Sequence, residues 1–260
     1  MISERGSEDG RRAAAQHMDE YFEAIDIPAR ILEYTYGNRR GFNVEVTLQG
    51  TEGEKHLWVT AHLDSVYNAG ANDDASGLVS LLVTARALKQ LNPQHTVHFV
   101  AYDLEEFYEP EQASLVGSSV YVGGTVGALR EREGYQVILG NLHTDMVGYH
   151  EGGDLDVVMA TCEQAGPIDE AVLRASQIIS SPNTLQIDDK CLGYSDHKHL
   201  RFWPPHGPDD RQHGGLRLLS LVPWTRRHDR QSEYALPALH DPANGGRDRA
   251  AYRATPGTES

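Results

Sequence analysis

Two strand-like runs joined through one long apolar helix constrain this chain more than any other feature. His56–His62 (HLWVTAH) and Thr96–Tyr102 (TVHFVAY) are short apolar runs with the β-branched and aromatic side chains that suit a pleated surface. Between them, Ala75–Leu91 sets Leu78, Leu81, Leu82, Ala85 and Leu88 at steps that share one helix face. The pattern continues on both sides. Residues 7–25 read as an amphipathic helix carrying Ala14, Met18, Tyr21, Phe22 and Ile25, and 42–48 alternate as a strand before a turn at 50–54. Further strands are expected at 136–142 and 155–159, and a helix at 168–179. Strands alternating with helices predict an α/β sheet with helices on its faces. A chain of 260 residues is long enough for one such domain with a real core.

The character changes near residue 200. Residues 1–200 carry 31 acidic and 14 basic side chains, whereas 201–260 carry 7 and 9. Seven of the 12 prolines fall in the last stretch, no isoleucine follows Ile187, and Val222 is the only valine after Val172. A sheet core draws on β-branched residues, so 201–230 are not expected to continue the fold. A helical pattern partly returns at 232–239. A shifted reading frame that later reverts and a Pro-rich loop both account for this composition. The expected organisation is a main domain over 1–200, with 201–260 an anomalous C-terminal part of it.

The formal charge of −15 argues against a nucleic-acid partner, which calls for a basic face. Only four of the 23 basic residues are lysines, a balance that suits a salt-rich medium where self-repulsion is screened. No apolar run approaches the roughly 18 residues of a membrane span. No apolar leader is visible near the start, so the sequence as it stands reads as cytoplasmic, or as exported if an upstream segment is missing. Cys162 and Cys191 are too few for a thiolate zinc site; they read as two thiols or as one disulfide.

The chemistry gathers where strands end, the usual place for sites in open α/β sheets. AHLDS puts His62 and Asp64 two residues apart on extended backbone, facing the same way. One of the pair can ligate a metal while the other takes the second ring nitrogen. GANDDASG (Gly70–Gly77) then opens the apolar helix, and Asp74 fits the plain role of a helix cap. Asp73 is less well explained by capping, given the His–Asp pair just before it. AYDLEEF places Glu105 and Glu106 side by side past a strand, where one can ligate and the other take a proton from water. NLHTDMVG brings Asp145, with His143 two residues earlier, and GYSDH follows at 193–197. Oxygen donors plus an imidazole fit one zinc ion or a zinc pair. There is neither a phosphate-binding Gly-rich loop nor a G-x-S-x-G elbow.

In their order and spacing, AHLDS, GANDDASG, EEF followed by GSSVYV, TDMVG and YSDH resemble metallopeptidase family 28. These are zinc exopeptidases that include leucine aminopeptidases, glutamate carboxypeptidases and glutaminyl cyclases. The resemblance implies a single-domain three-layer α/β/α sandwich with a mixed central sheet, and a peptide substrate cut at its N-terminal residue. It also implies two zinc ions: His62 and Asp145 on the first, Glu106 on the second, and Asp73 bridging with a cis peptide to Asp74. Glu105 takes the general-base role, Asp64 the partner of His62, and Asp196 and His197 places near the substrate pocket.

Two departures from the family pattern stand out. The segment YEPEQAS (Tyr108–Ser114) splits EEF from GSSVYV. The family's late histidine ligand falls in the anomalous stretch, where His213, His228 and His240 are the candidates. Three readings therefore stand: an active zinc aminopeptidase, with carboxypeptidase and cyclase variants on the same fold; a zinc-binding relative whose second site is incomplete; and an acidic α/β domain whose carboxylates only solvate its surface.

Overall fold

A computed structural model describes residues 4–106, 113–148, 157–162, 167–179, 185–188, 194–201 and 218–223. Helix α1 (Glu8–Ala24) leads into the antiparallel pair β1 (Ala29–Tyr36) and β2 (Arg39–Leu48). Then come β3 (His56–His62), α2 (Ala75–Leu91) and β4 (Thr96–Tyr102). Helix α3 (Val116–Tyr121) runs through a π-helical turn at Val122–Val126 into α4 (Gly127–Glu133). The remaining elements are β5 (Ile138–Thr144), β6 (Val157–Cys162), α5 (Pro167–Ile179), β7 (Leu185–Asp188), α6 (His197–Arg201) and β8 (Leu218–Pro223).

The strands form one mixed sheet in the order β1-β2-β4-β3-β5-β8-β6-β7. Strands β4, β3, β5 and β8 run parallel, which aligns the carboxyl ends of β3, β4 and β5 on one edge. β2 joins antiparallel to β4, and β6 antiparallel to β8. Central strands carry apolar residues on both faces, as a sheet covered on both sides requires. Val59, Ala61 and Leu63 with Val97, Phe99 and Ala101 meet α1 and α2 on one side. Trp58, Val100 and Tyr102 meet Tyr121, Val122, Val126, Leu129 and Leu200 on the other. The result is the expected three-layer α/β/α arrangement around a mixed sheet.

Local chemistry explains where the site-bearing helices start. Ser7 caps α1 by accepting from the Gly10 amide at 3.1 Å, and Glu8 and Asp9 face the positive end of the helix dipole. Asp74 caps α2 by accepting from the Gly77 amide at 2.8 Å, so the capping role read from the sequence holds. α2 buries Leu78, Leu81 and Ala85, and Leu82 and Leu88 pack partly against the same core.

The predicted bounds of β3, β4 and α2 match the structure. β1, α3, α4, β7 and α6 were not anticipated. The expectation that 201–230 leave the fold needs correction for part of its length. Leu218–Pro223 forms β8, parallel to β5 and antiparallel to β6 within the sheet. Main-chain pairing is open to a Leu-rich run as well as to Val and Ile, so composition alone misjudged this segment. Residues 225–260, which include the predicted helix at 232–239, lie outside the described residues, as does Cys191.

Candidate metal centre

β3 delivers His62 to the carboxyl edge of the sheet, almost fully buried. Its Nε2 lies 2.9 Å from Asp73 Oδ1 and 3.8 Å from Asp145 Oδ1. Its Nδ1 lies 3.5 Å from Asp64 Oδ1. The imidazole therefore presents one nitrogen to two acids and the other to a third. Among the described residues, ligand atoms of His62, Asp74 and Asp145 all lie within 4.8 Å of one another.

Asp64 does more than face His62. Its Oδ1 accepts from the Glu105 amide and its Oδ2 from the Glu106 amide, each at 3.1 Å. One buried carboxylate thus joins the end of β3 to the loop after β4. That loop is also held from its far side, where the Leu115 and Val116 amides donate to the Glu105 and Leu104 carbonyls at 2.8 and 2.9 Å. Leu104 turns the chain through a left-handed conformation, φ 58°, which sends it away from the strand.

Asp73 and Asp74 play different parts. Asp74 is buried and its oxygens accept amide hydrogen bonds from His62 at 3.1 Å, Gly77 at 2.8 Å and Met146 at 3.2 Å. Asp73 is half-exposed and sends its carboxylate to His62 Nε2. The Asp73–Asp74 peptide bond is cis. Asp145 follows β5; its Oδ2 accepts from Ser195 Oγ at 3.2 Å, while its buried Oδ1 has no hydrogen-bond partner among the described residues.

Packing this many acids together perturbs their protonation. Burial pushes the Glu105 carboxyl well above its ordinary range; Asp196, Asp145 and Asp64 add to that, and His62 opposes it. Burial and the neighbouring Asp73 push Glu106 up to about 7, again against His62. Burial raises Asp145, with Asp73 adding to it. Burial would pull His62 down, but the nearby carboxylates of Glu105, Asp64 and Asp73 outweigh it and hold the imidazolium well above the usual histidine value. Without a cation, the cluster is relieved by taking up protons. An Asp145 oxygen buried and without a partner among the described residues, beside an imidazole nitrogen and further carboxylates, is the donor set that zinc takes, so the residues present fit that ion.

A sequence model of peptidase family M28 matches residues 43–201. The chain belongs to peptidase family M28. Within that family it is 37% identical over 86 residues to a protein named probable leucine aminopeptidase 2 from Aspergillus oryzae, covering 33% of this chain and 16% of the relative. It is 28% identical over 140 residues to leupeptin-inactivating enzyme 1 from Streptomyces exfoliatus, covering 54% and 30%. The matched region is thus under a third of either relative's length. Among solved structures, a Zn-dependent exopeptidase from Parabacteroides distasonis superposes with a TM-score of 0.56 at 16% identity, over 85% of this chain and 78% of that one. A zinc aminopeptidase from Bacillus subtilis gives 0.52 at 23%, over 72% and 41%. Both likenesses establish the M28 fold.

The structure brings His62, Asp64, Asp73, Asp145 and the backbone of Glu105 and Glu106 into one connected cluster. Asp196 and His197 are fully buried, and Asp196 acts on Glu105 through its charge. His213, His228 and His240 lie outside the described residues, as does most of the segment at 108–114. Three participants escaped the sequence reading. Ser195 holds Asp145. Thr60 Oγ1 lies 3.0 Å from His143 Nδ1, fixing a buried imidazole whose Nε2 is 4.0 Å from Asp145 Oδ2. Asp74 belongs to the metal-capable group as well as capping α2. The alternation of β3, which puts Thr60 on the His62 face, was the available signal for Thr60.

Proposed function

We propose that the chain is a zinc-dependent exopeptidase of the aminopeptidase type, removing N-terminal residues from peptides. The observation that carries this reading is the shared carboxylate of Asp64. It faces His62 Nδ1, opposite the Nε2 that meets Asp73 and Asp145, and its two oxygens accept from the amides of the loop bearing Glu105 and Glu106. His62 and Asp145 would hold one zinc ion, Glu106 a second, and Asp73 would bridge them. Asp74, whose oxygens already accept amide hydrogen bonds, is better suited to supporting this turn than to ligation.

Zinc, when bound there, acidifies water and polarises the scissile carbonyl. Glu105 is the base: its carboxylate, next to Glu106 on the loop after β4, would take the water proton and return it to the leaving amine. Asp64 keeps Glu105 in place through the main chain, so its part is positioning. Asp145 is held from behind by Ser195, leaving the opposite oxygen toward His62.

The test measures zinc per chain and chelator-reversible hydrolysis of aminoacyl-arylamides by the full chain and by E105Q. Zinc binding with hydrolysis, and a loss of about 10²–10⁴-fold in E105Q at unchanged zinc content, is the expected result. An E105Q protein as active as its parent would remove Glu105 from the mechanism. Zinc without hydrolysis would point to an incomplete second site, and a chain that takes no zinc would refute the reading.

A further inference from the structure

The matched M28 span begins at residue 43, yet two buried arginines before it reach into both loops of the metal centre. Arg5 grips the loop between β3 and α2 at both ends. Its Nε donates to the Leu63 carbonyl at 2.6 Å, and its Nη1 and Nη2 to the Ala69 and Gly70 carbonyls at 3.0 and 3.1 Å. Its own amide donates to Ser65 Oγ at 3.1 Å. The Gly70 carbonyl also accepts from the Ala75 amide at 3.0 Å, closing the turn that contains Asp73 and Asp74. The fit is close: Gly70 has φ 61°, and a Cβ there would stand 2.6 Å from Arg5 Nη2.

Arg11, one turn into α1, grips the other loop. Its Nε lies 3.1 Å from Asp103, which also accepts from the Phe42 and Leu104 amides at 2.9 Å each. Asp103 stands two residues before Glu105. Arg11 further donates to the Gly6 and Arg40 carbonyls, so the segment carrying Arg5 is tied to the same guanidinium. The guanidinium fork makes this bridging feasible, since several fixed N–H groups reach separate oxygens at once.

We propose that residues 4–11 act as a clasp: Arg5 and Arg11 are positioning residues that set the β3–α2 loop and the β4 loop against each other. The clasp spans the loop that carries Asp73 and the loop that carries Glu105 and Glu106, so it fixes the separation of the groups on which the proposed zinc chemistry rests. A lysine at position 5 has one compact ammonium and cannot hold Leu63 and Gly70 together, so R5K should behave as R5M does.

Amide hydrogen exchange on the full metal-free chain tests the clasp independently of zinc and turnover. R5M should speed exchange at 63–75, and R11M at 103–106, by about tenfold or more, while amides in the middle of α2 stay protected. F22L, which loosens the core contact of α1 without touching either arginine, is the control and should leave both loops protected. In zinc-loaded protein, R5M should weaken zinc binding about 10–100-fold, as loss of support for ligands does. R11M should lower kcat by about tenfold or more with KM nearly unchanged, because Glu105 loses its placement. Loop exchange in R5M and R11M no faster than in F22L would overturn the clasp. A parent chain that bound no zinc would instead sink the functional reading and leave the exchange result standing.

Discussion

Replacing Asp64 by Asn probes the joint on which the site depends. The carboxylate is fully buried, accepts one amide hydrogen bond on each oxygen, and faces His62 Nδ1. Asn has nearly the same shape but only one acceptor atom. In D64N one of the Glu105 and Glu106 amides must meet an NH₂ group, forfeiting a charge-assisted bond of about 1.5–3 kcal/mol. Removing one negative charge from a crowded acidic cluster repays part of that in the metal-free chain, so its stability should fall by the lower end of the range, about 1.5 kcal/mol. Nothing repays it once a cation is present, because the cation needs both the charge and the fixed imidazole. Zinc affinity should therefore fall about 10–100-fold, equivalent to about 1.4–2.7 kcal/mol. Competition against a chromophoric chelator measures the affinity, and denaturant unfolding of the metal-free protein measures the stability. A D64N chain that keeps zinc affinity within twofold of its parent would refute the claim that Asp64 organises the centre, whatever happens to its stability.

Three further outcomes can be checked. Zinc binding should release protons from Glu106, which sits at about 7, and from the His62 imidazolium, so affinity should fall by at least tenfold per unit as pH drops below 7; a flat titration between pH 5 and 8 would contradict this. Burial disfavours ionisation of Glu45, but hydrogen bonds from His98 and Tyr121 and the charge of Arg30 outweigh it and hold the carboxyl at about 2 against an ordinary 4.5. Its native pKa is depressed, so its contribution is complete above about pH 4.5 and is lost as pH falls toward 2; E45Q should remove this acid-side slope, on the order of 3 kcal/mol, in unfolding measured across that range. L81A, in the buried stripe of α2, should cost about 2–5 kcal/mol by denaturant unfolding, and a loss under 1 kcal/mol would mean that this helix face is not core.

The elements legible in the sequence were those whose pattern is local. β3, β4 and α2 announce themselves because strand alternation, β-branched content and helical spacing all act over a few neighbouring residues. The same holds for the Asp74 cap, which needs only an acid three residues before a helix amide. β1 escaped because Ile31 beside Leu32 breaks the period that Leu32, Tyr34 and Tyr36 otherwise keep, and because pairing with β2 supplies its order. α3 and α4 escaped because glycines at 117, 123, 124 and 127 weaken any helical pattern, while Tyr121, Val122 and Val126 are held by packing on Trp58 and Tyr102.

The chain's own letters determined the kind of chemistry available: one imidazole and several carboxylates placed where strands end, with a family order that names their roles. Tertiary structure alone decided how those groups meet. It divided Asp73 from Asp74, giving one to His62 and the other to backbone amides, although the two are adjacent and identical in type. It drew β8 out of a segment whose composition argued against a strand. It also brought Arg5 to Leu63 and Gly70, and Arg11 to Asp103, across separations of 58 to 92 residues. No sequence period encodes such contacts, because they arise only when the sheet sets distant strand ends side by side and buried polar groups must find partners there.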